Sequence, residues 1–359
     1  MHLETNMPIK AKIIKKIKQT GPINIADYMD ICLNDAQYGY YKKQTIFGKK
    51  GDFVTSPEIC QTFGEMLAIW AIASWQQLNK PPSFNFCEMG PGRGTLMSDM
   101  IRTFLKICPE FLNAANIILI ESSEQLKHQQ KQLLAPYINE SININWMTHF
   151  LHLPQKPIIL IANELLDALP IEQYIYQNNA FFMRKITLNK QNELEFVIDD
   201  TPANIKNYIN FLPEEAIVEV SPTQEKLITN ISEHISKYSG FALFIDYGEL
   251  KPCYQDSLQA VKNHKYANIF ESPGKADLTS HINFYNLAKI AQKYNCNCFG
   301  KTQSEFLTSL GICERGKILK KHAIDRLINP QAMGTLFKVM AISNSNNVPF
   351  NFNEGNKII

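Results

Sequence analysis

Seven consecutive residues, Glu88-Met89-Gly90-Pro91-Gly92-Arg93-Gly94, set three alternate glycines after an apolar run beginning at Phe84 and ahead of a helical pattern from Thr95. Glycine has no Cβ, so such a turn bends sharply and lets a ligand approach the backbone, while the following helix presents unpaired N–H groups. Two ligands compete for a turn of this kind. A dinucleotide fingerprint needs a third glycine where Thr95 stands and an acid about 20 residues on. Glu121 comes later than that, and Glu88 would repel a pyrophosphate. S-adenosylmethionine reverses the argument, because it has no phosphate and carries a sulfonium and an ammonium that a carboxylate favours. Glu121, at the tip of the second apolar run, can then accept hydrogen bonds from both ribose hydroxyls; the plainer reading is a surface acid opening the next helix. Glu88, Gly90, Pro91, Gly92, Gly94 and Glu121 are the expected cofactor-binding residues.

Other side chains capable of chemistry follow later apolar runs. Asn163-Glu164-Leu165-Leu166-Asp167 comes after Pro157 to Ala162, at what would be the carboxyl edge of a sheet, where ligands of open α/β sheets sit. Glu164 and Asp167 share one face if that segment is helical, and the competing reading is a cap at a helix start. Asp246-Tyr247 ends another run on the same edge. His281 lies four residues after Asp277, a spacing at which a carboxylate can orient an imidazole, although such pairs are more often structural. The eight cysteines contain no C-x-x-C pair, so no metal site is expected and the thiols read as buried in a reducing compartment.

The elements that must position these groups alternate. Apolar runs at Phe84–Glu88, Ile117–Ile120, Ile142–Trp146, Pro157–Ala162 and Phe241–Ile245 are separated by helical patterns, which predicts an α/β fold with a parallel sheet. Thr95 to Cys108 is helical, with Leu96, Met100, Ile101, Phe104 and Leu105 on one face. Upstream, Phe63, Met66, Leu67, Ile69 and Trp70 mark a long helix, with Ser56 as its N-cap and Pro57 at its first position. Five organisational segments are expected: an N-terminal helical cap and lid loop over 1–80, the cofactor-binding half of the core over 81–170, and an inserted α+β subdomain over 171–240. The C-terminal half of the core with a substrate loop follows over 241–345, then a polar tail over 346–359 that should fray. Within the insertion, Tyr174 to Met183 reads as a hairpin turning at Gln177-Asn178-Asn179, with a further strand over Leu194–Ile198.

Charge narrows the function. Among 359 residues, 36 Lys+Arg nearly balance 34 Asp+Glu, which argues against a dedicated nucleic-acid binder. With 45% hydrophobic residues the chain can bury a large core. No apolar run approaches the roughly 18 residues of a membrane span. Lys10, Lys12, Lys15, Lys16 and Lys18 around Ile13, Ile14 and Ile17 read as an amphipathic helix with a solvated basic face, not as a secretory signal.

The glycine turn, together with Gly51-Asp52-Phe53-Val54-Thr55-Ser56-Pro57-Glu58-Ile59, resembles the MidA-like family of S-adenosylmethionine-dependent methyltransferases. Asn163 to Pro170, Asp246-Tyr247-Gly248, Asp277 to Phe284 and Met333 to Lys338 extend the resemblance in order along nearly the whole chain, with little to match over 171–240. The resemblance implies a Rossmann-like class I methyltransferase sheet with an N-terminal helical cap and an inserted subdomain. It also implies methylation of a protein arginine, as on a subunit of respiratory complex I in the mitochondrial branch. Thr55, Ser56 and Glu58 would form a wall over the cofactor, Asn163 would contact cofactor or acceptor, and Glu164 would clamp the guanidinium. Asp167 would stand beside Glu164 as a second carboxylate, and Asp277 and His281 are candidates for acceptor binding or proton removal. Tyr38, Tyr40, Tyr41 and Phe47 could line a peptide channel or simply pack a Gly-rich loop onto the core. The absence of an Arg/Ser-rich transit segment fits a bacterial cytoplasmic protein. Two other readings stay open: a nicotinamide-dependent oxidoreductase, and a non-catalytic assembly factor that keeps the fold.

Overall fold

The computed structural model describes residues 8–42, 56–138, 142–205, 212–262, 265–317 and 321–359. Internal packing divides the chain into two units. One comprises Met1–Phe53, Asp167–Gln224 and Pro252–His281; the other comprises Val54–Leu166, Glu225–Lys251 and Ile282–Ile359.

The second unit is built on an eight-stranded sheet. Its strands are β1 (Phe84–Met89), β2 (Ala115–Ile120), β3 (Ile144–Met147), β4 (Ile158–Asn163), β5 (Gly240–Glu249), β6 (Ile282–Asn283), β7 (Cys296–Thr302) and β8 (Phe337–Asn344). Their spatial order is β7-β8-β5-β4-β1-β2-β3, with β6 paired to β5. Pairings β3–β2–β1–β4–β5 are parallel, and β8 runs antiparallel to both β5 and β7. This is the α/β class expected from the sequence. Strands buried on both faces become continuous apolar runs, as in Ile158–Ile161 and Phe241–Ile245. The strand order reverses direction next to β1, between β1 and β4, which is where open sheets of this kind bind ligands.

Helices α1 (Gln61–Gln77), α2 (Thr95–Ile107) and α3 (Glu124–Leu134) belong to the same unit. Leu96, Met97, Met100, Ile101 and Phe104 of α2 are buried, whereas Leu105, expected on that face, is exposed. Phe104 stacks on Phe111 at 4.2 Å between centroids, and Phe86 meets both rings edge-on, so β1 is fixed against aromatic packing immediately before the glycine turn. Each such side chain contributes on the order of 2–3 kcal/mol through burial. The expected start of α1 at Ser56 is corrected. Ser56–Ile59 is a separate single turn, and Cys60, extended at φ −156°, interrupts it before α1 begins at Gln61.

The terminal segment is packed where fraying was expected. Trp70 Nε1–H donates to Phe350 O at 3.2 Å, Phe352 lies against Phe299 and Phe306, and the Ile358 N–H donates to Cys298 O at 2.9 Å.

In the first unit, helices Ile9–Thr20 and Ile25–Asn34 share a core with Ile171, Ile186 and Leu194. Lys-flanked Ile13 and Ile17 are buried, in keeping with the amphipathic reading. An antiparallel sheet contains the expected hairpin, Glu172–Gln177 with Ala180–Leu188; Asn178 and Asn179, at φ +51° and +61°, supply the two left-handed positions of its turn. A three-stranded sheet carries Gln259–Lys262, Lys265–Ala267 and Asp277–Thr279. Five of the eight cysteines are buried, Cys60 and Cys253 are half-buried, and Cys313 is exposed. Among the described residues no helix is long and apolar enough to cross a membrane.

Candidate active site

The turn after β1 is left-handed at each glycine: φ is +68° at Gly90, +51° at Gly92 and +86° at Gly94. A Cβ on Gly90 would sit 2.8 Å from Leu165 Cδ1, and one on Gly94 3.3 Å from Gln130 Cγ. The Gly90 N–H donates to Ile120 O and the Gly94 N–H to Pro91 O, so the turn is tied to β2 and to itself. Gly94 is also the N-cap of α2, and the Ser98 N–H reaches its carbonyl.

Acids surround this turn. Glu88, in β1, is 3% exposed, and its Oε2 has no hydrogen-bond partner among the described residues. Burial raises its carboxyl well above the ordinary range; the Met97 N–H opposes that, and the charges of Asp99 and Glu121 add to it. Asp99, on α2, is itself pushed up to about 6, chiefly by burial. Glu121, just past β2, accepts from the Ser123 N–H at 2.8 Å and from Gln130 Nε2 at 3.3 Å, and burial lifts its pKa against these bonds.

On the neighbouring strand end, Asn163 closes β4 and Glu164 follows at φ +50°, a conformation unusual for a residue with a side chain. Glu164 Oε1 accepts from the Ser56 N–H at 2.9 Å and from Asn163 Nδ2 at 3.1 Å. The Glu164 N–H donates to Ile245 O, and Asp246 Oδ2 accepts from the Leu166 N–H at 2.9 Å, so β5 pins this loop. Ser56 Oγ, Glu58 Oε2 and Asn163 Oδ1 are buried without a hydrogen-bond partner among the described residues. Glu58 Oε1 lies 3.5 Å from Arg93 Nη1 of the glycine turn. Thr55 and Phe47 fall outside the described residues.

One carboxyl edge therefore carries Glu88, Gly90, Gly92, Gly94, Glu121, Ser56, Glu58, Asn163 and Glu164. Buried polar groups without partners cost free energy unless a ligand satisfies them, and a deeply buried carboxyl such as Glu88 calls for a cation. This set fits S-adenosylmethionine.

The remaining candidates lie in the first unit. Residues 164–170 are not helical, so the shared helical face supposed for Glu164 and Asp167 does not form. Asp167 is buried, and its carbonyl accepts from the Ser280 N–H. Asp277 accepts from the Tyr41 hydroxyl at 3.2 Å, and Tyr41 is held well above the ordinary phenol range by burial and then by the charges of Asp277 and Asp167. Asp277–Thr279 is a strand, rising roughly 3.3 Å per residue, so it does not offer the helical turn that would bring His281 beside Asp277. The His281 N–H donates to Ser257 Oγ at 2.8 Å. Tyr40 is fully buried and Tyr38 is exposed with Lys12 over its ring.

Gln130 and Trp146 were missed by sequence reasoning. The available signal was slight: Gln130 sits midway between Leu126 and Leu134 on the inward stripe of α3.

Sheet order, left-handed glycine turn and strand-end acids together define a class I, S-adenosylmethionine-dependent methyltransferase. Comparison with known proteins agrees. The sequence profile of the family described as "Putative S-adenosyl-L-methionine-dependent methyltransferase" matches residues 66–302. The chain is 31% identical to the mouse (Mus musculus) protein arginine methyltransferase NDUFAF7, mitochondrial, over 93% of its own length and 84% of the mouse protein. It is 32% identical to the Xenopus tropicalis protein of the same name, over 92% of this chain and 84% of the relative. A crystal structure from Burkholderia thailandensis with S-adenosyl-homocysteine bound superposes with a TM-score of 0.83 at 21% identity, covering 97% of this chain and 96% of that one, and shows the same fold. The chain belongs to this methyltransferase family, and its cofactor is S-adenosylmethionine. The dinucleotide alternative is thereby set aside. The expectation of a bacterial cytoplasmic protein is corrected, because the relatives that match nearly the whole chain are named as mitochondrial proteins.

Proposed function

We propose that this enzyme methylates an arginine side chain of a protein, a subunit of a respiratory complex being the acceptor that the family resemblance implies. The observation that carries this reading is the match, at about 30% identity over most of both chains, to relatives named protein arginine methyltransferases. When bound, S-adenosylmethionine supplies a methyl group on a sulfonium, open to in-line attack by a nitrogen lone pair. Glu88 offers its buried carboxylate to the cationic end of the cofactor, Glu121 offers hydrogen-bond acceptors to the ribose, and the turn at Gly90, Pro91, Gly92 and Gly94 gives close backbone approach. Ser56, Glu58 and Asn163 contribute their buried polar atoms to the same edge, and Thr55 is assigned to the same wall by resemblance alone.

A guanidinium is a poor nucleophile because its lone pairs are delocalised and it stays protonated. A carboxylate improves it by holding the planar fork and orienting one nitrogen. Glu164 is proposed for this role: its backbone conformation and the bonds to Ser56 and Asn163 fix the carboxylate in place. These same bonds give Glu164 a capping function toward the Ser56 turn, so the clamp and the cap are one arrangement. Asp167 and His281 are proposed as acceptor-binding groups of the first unit, where Asp167 and Asp277 supply buried negative charge near Tyr41.

The test is mass spectrometry of the host proteome with the wild-type gene, with the gene deleted, and with Glu164→Gln. Methylation of one or a few arginines should disappear on deletion. It should fall by roughly a hundredfold or more with Glu164→Gln, a loss of the size seen when a transition-state contact is removed. An unchanged arginine-methylation pattern on deletion would refute the acceptor assignment; restoration to wild-type levels by Glu164→Gln would refute the clamp.

A further inference from the structure

Gln130 is fully buried on α3, and its carboxamide joins three segments that are distant in sequence. Nε2 donates to Gly92 O at 2.7 Å and to Glu121 Oε2 at 3.3 Å, while Oε1 accepts from Trp146 Nε1–H at 3.0 Å. These bonds use both amide hydrogens and the amide oxygen. Only a primary amide offers two donors and an acceptor in that plane: a carboxylate would lack the donors and repel Glu121, and an apolar side chain would offer neither. The backbone leaves little freedom around it, since a Cβ on Gly94 would lie 3.3 Å from Gln130 Cγ. Trp146, from β3, anchors the amide oxygen and so selects the orientation in which the NH2 group faces the glycine turn and the acid.

We propose that Gln130 is a positioning residue that locks the glycine turn and Glu121 into one frame and thereby sets the enzyme's selectivity for a ligand bearing an intact ribose diol. This rests on the reading of Glu121 as the ribose acceptor. A carboxylate has about four lone-pair sites, so ligand hydroxyls can bond to Glu121 alongside the donors from Ser123 and Gln130. A carboxylate free to rotate would lose much of its preference for two hydroxyls at fixed spacing over one. Held by Gln130, it presents a fixed edge at a fixed distance from the Gly92 backbone, to which the rest of the ligand is registered.

The experiment is calorimetric titration of the full chain with S-adenosylhomocysteine and with its 2′-deoxyribose analogue. The proteins are wild type, Gln130→Met, Trp146→Phe and Glu121→Gln, each checked for an intact thermal transition. Wild type should prefer the diol ligand by about tenfold or more, the scale of one hydrogen bond to a charged group. Gln130→Met should weaken S-adenosylhomocysteine binding by roughly tenfold to a hundredfold and reduce the preference to within about threefold. Trp146→Phe, which frees the amide without removing it, should shift both quantities in the same direction by less, and it carries the test if Gln130→Met fails to fold. Combining Gln130→Met with Glu121→Gln should cost less than the sum of the two. A folded Gln130→Met or Trp146→Phe protein that keeps wild-type affinity and preference overturns the proposal while leaving the cofactor reading intact. Wild type that binds S-adenosylhomocysteine without any preference for the diol overturns the role of Glu121, and with it this inference.

Discussion

A carboxyl buried as deeply as Glu88, beside Asp99 and Glu121, is held protonated unless a cation accompanies it, and that has a measurable consequence. Its folded pKa lies well above the ordinary value of 4.5. The unliganded protein therefore has the full contribution of this group to stability below about pH 4.5, and loses it as pH rises through the raised value. A cationic ligand reverses the balance by favouring the carboxylate. Cofactor binding should thus release protons, and affinity should climb with pH across that window. Calorimetry in two buffers of different ionisation enthalpy reads the proton count, and Glu88→Gln should remove most of the release; equal release from both proteins would show that another group titrates. The glycines and strand-end acids were legible because their signal is local. Gln130 was not, since its partners Gly92, Glu121 and Trp146 come together only through tertiary structure. The tie between Glu164 and Ser56, far apart in sequence, was hidden for the same reason.

At the scale of elements, the parallel strands announced themselves as apolar runs because both faces are covered. One of the strands that the sequence reading overlooked, β7, lies at the sheet edge and interrupts its apolar residues with Asn297 and Lys301. The break at Cys60 was equally invisible, since apolar residues continue at helical spacing beyond it. The β1-turn-α2 element makes a sharp prediction. At Gly94, with φ +86°, a β-branched residue is strained by about 1–3 kcal/mol, and its Cβ would press on Gln130. Gly94→Val should lower the melting temperature modestly and weaken S-adenosylhomocysteine binding by about tenfold or more, as thermal melts with and without ligand would show. Ligand-induced stabilisation equal to that of wild type would mean that the turn does not form the binding surface.

At the scale of the whole molecule, the ordered series of motifs from the glycine turn to Met333–Lys338 made the family legible where any one motif would not. The two units were harder to read: the first draws on three separate stretches, and those stretches are joined by a shared core of Ile13, Ile25, Met29, Ile186, Leu194, Ala260 and Leu278. All the proposed cofactor residues that the structure describes fall in the other unit, so the ligand has one expected place. A crystal structure of the protein with S-adenosylhomocysteine decides it. The ligand should lie against the backbone of Gly90–Gly94, its amino group toward Glu88 and its ribose hydroxyls on Glu121. A ligand bound elsewhere, or bound at the turn with neither carboxylate in contact, would contradict the account.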